Sequence, residues 1–255
     1  MAMFVASEAS AGKAVSTIER RLVTINYLHQ SSGFESPTKA RVVLDTVRGI
    51  KRVKGTAQNK KTPLTAARIK ESVSHCSNTL AGLRDRALLL LGFAGAFRRS
   101  ELVRLTVEDL QETKDGYKVI IKKSKTDQTG EGQTIAIMNG GNLRVVTAVK
   151  DWLKASGIKT GAIFRSVSRY KRIGKSALTD RSVANIVKKY ADAAGLDPTL
   201  FSGHSLRSGC ITSAAESGAS ILKMMEVSRH KSVDELIGYV RSAELFKDHA
   251  GSQFL

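Results

Sequence analysis

GHSLRSG, Gly203 to Gly209, is the stretch on which the reading of this chain turns. It starts like the G-x-S-x-G elbow that presents a hydrolase serine, but Arg207 occupies the place of the last glycine and the elbow fails. What remains is His204 and Arg207, three residues apart and therefore on one face if the segment is helical. Alone, such a pair arises readily by chance in an arginine-rich chain, so its meaning depends on its company.

Outward from that stretch the chain reads as mainly α with one small antiparallel sheet. Periodicity predicts helices at 65–75, 81–97, 99–105, 142–155, 179–194, 204–217 and 232–246. GYKVIIKK at 116–123 and GQTIAIM at 132–138 are β-branched runs around SKTDQTGEG, the pattern of a hairpin with a loose tip. Before them, residues 16–32 carry Ile18, Leu22, Ile25 and Leu28 at helical spacing behind a Ser-x-x-Glu capping box and end at Gly33. Residues 36–55 open on Ser-Pro, with Pro37 suited to a first turn, and place Val42, Leu44, Val47 and Ile50 inward. The polar, aperiodic GTAQNKKTP at 55–63 reads as a linker, giving a basic unit over 1–58 and a larger domain over 59–255.

Charge narrows the partner. Against 23 acidic residues stand 41 basic ones, for a net +18, and residues 1–70 hold 13 basic and 4 acidic. Basic runs are often solvated faces, yet an excess this large with few aromatics favours a polyanion, duplex DNA above all. No apolar run approaches a membrane span: ALLLLGFAGAF at 87–97 runs straight into Arg98 and Arg99. The N-terminus lacks the pattern of a secretory signal, and Cys76 and Cys210 are too few for a disulfide framework or a cysteine zinc site, so a cytoplasmic, nucleoid-associated protein is expected. AGKAVS at 11–16 lacks the earlier glycine of a P-loop, and no carboxylate cluster suggests a two-metal nuclease.

The company of His204 and Arg207 is GAFRRSEL at 95–102, Ser-Lys-Thr at 124–126, SRH at 228–230, and Tyr239 nine residues after His230. In that order, across 92–240, Arg98, Lys125, His204, Arg207, His230 and Tyr239 resemble the tyrosine recombinase (phage integrase) family. The resemblance implies that Arg98 and Arg207 hold the non-bridging oxygens of one scissile phosphate, with planar guanidinium forks suited to that geometry. It implies that His230 donates a further hydrogen bond, that His204 orients or deprotonates the nucleophile, and that Glu101 steadies the site. Tyr239 would be the nucleophile, forming a 3′-phosphotyrosyl link, and Lys125 the general acid for the departing 5′-oxygen. One phosphate ester replaces another, so neither cofactor nor metal is expected. The doubled Arg98-Arg99 leaves the register open except for the R-x-S-E-L spacing, and Lys122 and Lys123 compete with Lys125.

The resemblance also assigns DNA contacts. LTDRSVANIVKKYADAAG is its candidate for the major groove, with Arg181 and Lys188 facing DNA and Lys171, Arg172 and Lys175 meeting phosphates. Arg20, Arg21, Lys51, Arg52 and Lys54 belong to what resembles a partial helical core-binding domain. That domain has about four helices in the family and room for about two here, so an N-terminal part is expected to be missing. The implied activity is site-specific DNA recombination by a homo-tetramer on double-stranded DNA with inverted half-sites, with an accessory DNA-bending protein as a further partner. In the family a terminal segment such as RSAELFKDHAGSQFL, with Leu245, Phe246, Phe254 and Leu255, docks on a neighbouring protomer; packing on its own chain is the other course. Two alternatives stay open: a type IB topoisomerase with the same chemistry, and a DNA-binding module that keeps the fold without cleaving.

Overall fold

The computed structural model describes residues 1–56, 61–122, 132–230 and 232–243. The chain divides into two compact units, Met1–Lys60 and Lys61–Leu255.

The described residues of the first unit form three α-helices, α1 (Ala2–Ser10), α2 (Val15–Ser31) and α3 (Arg41–Lys54). Sequence periodicity finds only the last two, because AMFVASEAS is rich in small residues and buries one side chain, Val5. α2 begins one residue before the expected capping box, with Ala14 as N-cap and no side-chain cap. The expected helix at 36–55 is two pieces. Ser36 and Pro37 start a 3-10 turn over Pro37–Lys39, and extended Ala40 separates it from α3. That break resets the phase: Val43, with Val47 and Ile50, faces Val5 and Ile18, whereas Val42 and Leu44 are exposed at 62% and 43%.

The second unit begins with α4 (Ala66–Ser74), α5 (Leu80–Ala94) and α6 (Arg99–Arg104). Strands β1 (Leu110–Thr113), β2 (Gly116–Ile121) and β3 (Gln133–Met138) follow, then α7 (Val145–Ser156). A second hairpin, β4 (Arg165–Val167) and β5 (Ile173–Ala177), precedes α8 (Asp180–Ala193), α9 (His204–Glu216), α10 (Ile221–Ser228) and α11 (Val233–Ala243). The class is mostly α, as the sequence indicates, but with two small sheets: antiparallel β1-β2-β3 and antiparallel β4-β5. In the first, Val119 faces Leu110 on one side and Ile135 on the other.

Helix α5 is the axis of the core. Ala87 to Leu91 and Phe93 are buried, consistent with a helix apolar nearly all round, and it packs on α7 and α9. Trp152 is fully buried and its indole N–H donates to the Ile163 carbonyl at 2.9 Å. Packing around α5 fixes its C-terminal end, Gly95 to Arg98, against the start of α9. Among the described residues no helix is long and apolar enough to cross a membrane.

Candidate phosphate-clamping site

Three turns meet at this end of the core. The first leaves α5 through Gly95, Ala96 and Phe97, with Ala96 left-handed at φ 44° and Phe97 buried. Arg98 then turns extended as the N-cap residue of α6. Glu101, three residues on, accepts the Arg98 backbone N–H at 3.0 Å and its Nη1 at 2.7 Å. This is why R-x-S-E-L carries information: the acid both caps the helix and aims the arginine. Arg99 turns the other way, exposed and paired with Asp180 of α8 at 3.0 Å, so the structure separates the two neighbours. The Arg98 side chain keeps 23% exposure.

The second turn enters α9, where His204 and Arg207 share a face as their spacing predicts. A Cβ at Gly209 would collide with the Leu64 carbonyl, so glycine there lets the 62–66 segment cross closely, and the Leu64 N–H donates to Ser205 O at 2.9 Å. Arg207 is 1% exposed. Its Nη1 donates to the Ala96 carbonyl at 2.8 Å and its Nη2 to His230 Nε2 at 3.2 Å. Burial, then Arg98 and Arg229, lower its pKa to about 10, which still leaves it charged at neutral pH.

The third turn joins α10 to α11. Arg229 is left-handed, φ 59° and ψ 37°, a conformation that costs a side-chain-bearing residue roughly 1–2 kcal/mol. His230 follows. Burial first, then Arg207, Arg98, His204 and Arg229, push its pKa down to about 4. Because Arg207 can only donate, Nε2 of the neutral ring accepts, and Nδ1 carries the hydrogen towards Ser228 Oγ at 2.8 Å. Glu235 lies 3.4 Å from Nε2 and would pair with it only in the protonated ring.

His204 stands at the solvent side as an exposed residue, yet its ring is enclosed enough that desolvation, followed by Arg207 and Arg98, lowers its pKa. Tyr239 is half-buried on α11 and packs with Val240 against Ile211, Ala215, Met224 and Leu236. Burial raises its phenol pKa, Arg207 opposes that, and Glu235 adds to it. Arg98 is bonded to Glu101 and Arg207 to His230, the two pairs are linked through Arg229, which reaches both Glu101 and the Ala96 carbonyl that Arg207 holds, and His204 and Tyr239 lie within electrostatic reach of Arg207. Lys125 and the Ser-Lys-Thr tip lie outside the described residues, as do residues 57–60 of the linker and the tail with Leu245, Phe246, Phe254 and Leu255. Lys122 is tied to Asp109 at 2.6 Å.

Sequence reasoning missed Arg229. It is 5% exposed, its Nη2 reaches Glu101 Oε2 at 2.9 Å, and burial lowers its pKa against the pull of Glu101. The one available signal was an arginine directly before His230.

The expected DNA contacts fall into two sets. In the first unit Arg20 and Arg52 are exposed, Arg21 pairs with Glu8, Lys51 with Glu19 at 2.6 Å, and Lys54 donates to the Ala9 and Lys13 carbonyls. In the second, Lys171, Arg172 and Lys175 on the β4-β5 hairpin and Arg181 and Lys188 on α8 are all exposed.

The phage integrase family pattern matches residues 63–245. The chain is 42% identical over 240 residues to an integrase/recombinase xerD homolog of Selenomonas ruminantium, covering 92% of this chain and 70% of that protein. It is 26% identical over 255 residues to the recombinase cre of Escherichia phage P1, covering 91% and 72%. In fold it is similar to the XerH site-specific recombinase bound to palindromic difH substrate, with a TM-score of 0.72 at 18% identity over 96% of this chain and 68% of that one. It is also similar to the Tn1549 transposon integrase in complex with transposon right end DNA, with a TM-score of 0.69 at 16% identity over 96% and 83%. The family match over 63–245 and the Selenomonas relative establish the family: the chain belongs to the phage integrase family, and the class of enzyme that goes with it is the site-specific tyrosine recombinase.

Proposed function

We propose that the chain breaks and rejoins DNA through a 3′-phosphotyrosyl intermediate formed on Tyr239. The observation that carries this is the clustering of Arg98, His204, Arg207 and His230 within electrostatic reach of one another, with the half-buried phenol of Tyr239 within reach of Arg207. A phosphate seated there receives two guanidinium forks. The charge spread over its non-bridging oxygens in the transition state is what such donors stabilise, and each is worth about 3 kcal/mol.

Tyr239 Oη attacks phosphorus and the P–O5′ bond breaks. The phenolic proton passes to His204, which desolvation first, and then Arg207 and Arg98, keep neutral and able to accept. The departing 5′-oxygen takes a proton from Lys125. Reversal with a 5′-hydroxyl from a second duplex restores a phosphodiester and regenerates Tyr239, so the number of ester bonds is conserved. His230 donates to the phosphate through Nε2 once Arg207 Nη2 turns from it and the ring's hydrogen has moved from Nδ1 to Nε2, after which Ser228 Oγ donates to Nδ1. The basic β4-β5 hairpin, α8 and the first unit, acting as a core-binding domain, meet the DNA backbone. Four protomers on two sites with inverted half-sites, with or without a DNA-bending protein, complete strand exchange. The setting is cytoplasmic.

The test is covalent trapping. The chain is incubated with a pool of nicked duplexes that lose the freed 5′-hydroxyl fragment, then denatured. An adduct that maps to Tyr239 and is absent in Tyr239→Phe is expected, and the trapped DNA identifies the site. Tight binding without adduct would make the chain a non-cleaving DNA-binding module. Relaxation of supercoiled DNA by a lone protomer would make it topoisomerase-like.

A further inference from the structure

We infer that Arg229 is a positioning residue for this reaction: by taking one oxygen of Glu101 it limits the acid's hold on Arg98, and it fixes the turn that aims His230. The inference rests on the proposed strand cleavage.

The arrangement is specific. Glu101 offers Oε1 to Arg98 Nη1, while Oε2 is shared between the Arg98 backbone N–H and Arg229 Nη2. A lone carboxylate facing Arg98 could take its fork in two parallel bonds, neutralising it and turning it from a substrate phosphate. With Arg229 on the second oxygen, Arg98 gives Glu101 only Nη1, and its Nε and Nη2 have no bond among the described residues. The Arg229 guanidinium also donates to the Gly95, Val227 and Ala96 carbonyls at 2.9, 2.7 and 3.0 Å and lies 5.3 Å from the centre of the Phe97 ring. Arg229 therefore ties the α10-α11 turn to the α5-α6 turn, and Ala96 O is the point where it meets Arg207.

The backbone supports a selected side chain. At φ 59° glycine would be free of strain, yet an arginine stands here and is buried with Nε lacking a partner among the described residues. A residue held in that conformation with an unpaired buried nitrogen is accounted for if the rest of its fork is needed.

Three variants test this on a nicked duplex recovered by trapping with the unaltered chain: Arg229→Gly, which suits the backbone, Arg229→Lys, which keeps the charge without the fork, and Glu101→Gln. Arg229→Gly is expected to slow adduct formation by roughly 10- to 100-fold, the scale set by a small misplacement of reacting groups. Its DNA Kd stays close to that of the unaltered chain, its melting midpoint falls because a buried ion pair is broken, and rates are compared at a temperature where every variant is folded; Arg229→Lys falls between. Glu101→Gln slows the reaction too, and Arg229→Gly added to it slows it by less than it does alone, because the two share one carboxylate while the hold on the α10-α11 turn is separate. Cleavage by Arg229→Gly within about twofold of the unaltered rate, or an undiminished loss in the Glu101→Gln background, would overturn the inference while leaving the cleavage reading intact. No adduct from the unaltered chain would overturn both.

Discussion

The arginine cradle and the tyrosine helix rest on very different amounts of apolar packing. Arg207 and Arg229 bond to carbonyls of a turn that continues directly from α5, whose Leu88 to Leu91 lie in the large core of the second unit. Helix α11 rests on a separate small cluster of Ile211, Ala215, Met224 and Leu236, with Tyr239 itself at the edge. Local opening is governed by how many buried contacts must be broken, so on the proposed reading the phosphate receptor is built as part of the global fold and the helix that carries the nucleophile is not.

The largest effect is expected in the cradle. Arg207→Lys keeps a charge but loses the fork that reaches both Ala96 O and His230, and should cut adduct formation by about 10²- to 10³-fold, the usual loss for one transition-state donor. DNA affinity should change much less, since the charge stays. Single-turnover trapping beside a binding titration separates the two, and a loss under tenfold would mean that the cradle is less rigid than its burial implies.

Next comes the anchor of the tyrosine helix. Leu236 is fully buried in the small cluster, and Leu236→Ala should destabilise α11 by about 3 kcal/mol. Hydrogen exchange should then rise selectively over 233–243 and adduct yield should fall, while the main unfolding midpoint of the second unit hardly moves. Leu89→Ala, equally buried but in the large core, should do the reverse and lower that midpoint. If both variants shifted the same midpoint equally, the two regions would be one cooperative unit.

The same contrast explains what the sequence could disclose. His204 and Arg207, and Arg98 with Glu101, are local pairs at i, i+3, and local spacing is visible in a string. Arg229 meets Glu101 across 128 residues of chain and through a left-handed turn, so nothing near it in sequence marked its role. Helix α10 has eight residues and only Met224 and Ser228 buried, too short a stripe for periodicity to register. The β4-β5 hairpin escaped because IGKSA is mostly exposed and does not alternate. Val42 and Leu44 were assigned inward since the break at Ala40, which shifts the face to Val43, follows from backbone geometry rather than hydrophobicity.

Acid should separate cradle from helix less sharply. In the unfolded chain His230 takes a proton near its ordinary value of about 6.5, whereas in the folded cradle it does so only at about 4. The unfolded state binds more protons between these values, so the stability present above pH 6.5 is lost as pH falls towards 4, by about 2 kcal/mol at pH 5. The lowered pKa of His204 acts in the same direction. Urea midpoints at pH 7 and pH 5 measure this, and His230→Gln should flatten the difference. An unchanged difference would assign the acid sensitivity to groups outside the cradle.

The smallest effect belongs to cations that lack the cradle's burial. Lys175 is exposed on β5, near Lys171 and Arg172 at a turn closed by the Ser168 N–H donating to Arg172 O at 2.9 Å. If it neutralises one phosphate, Lys175→Ala should lower the slope of log affinity against log salt by about 0.9 and weaken binding only a few-fold at moderate salt. Trapped DNA sequences should not change, because a phosphate contact positions without reading bases. Arg207→Lys, which preserves charge, should leave that slope alone while abolishing most cleavage. An unchanged slope for Lys175→Ala would take the β4-β5 hairpin off the DNA. A changed slope for Arg207→Lys would show that the buried cradle contributes to capture of the backbone as well as to the chemistry.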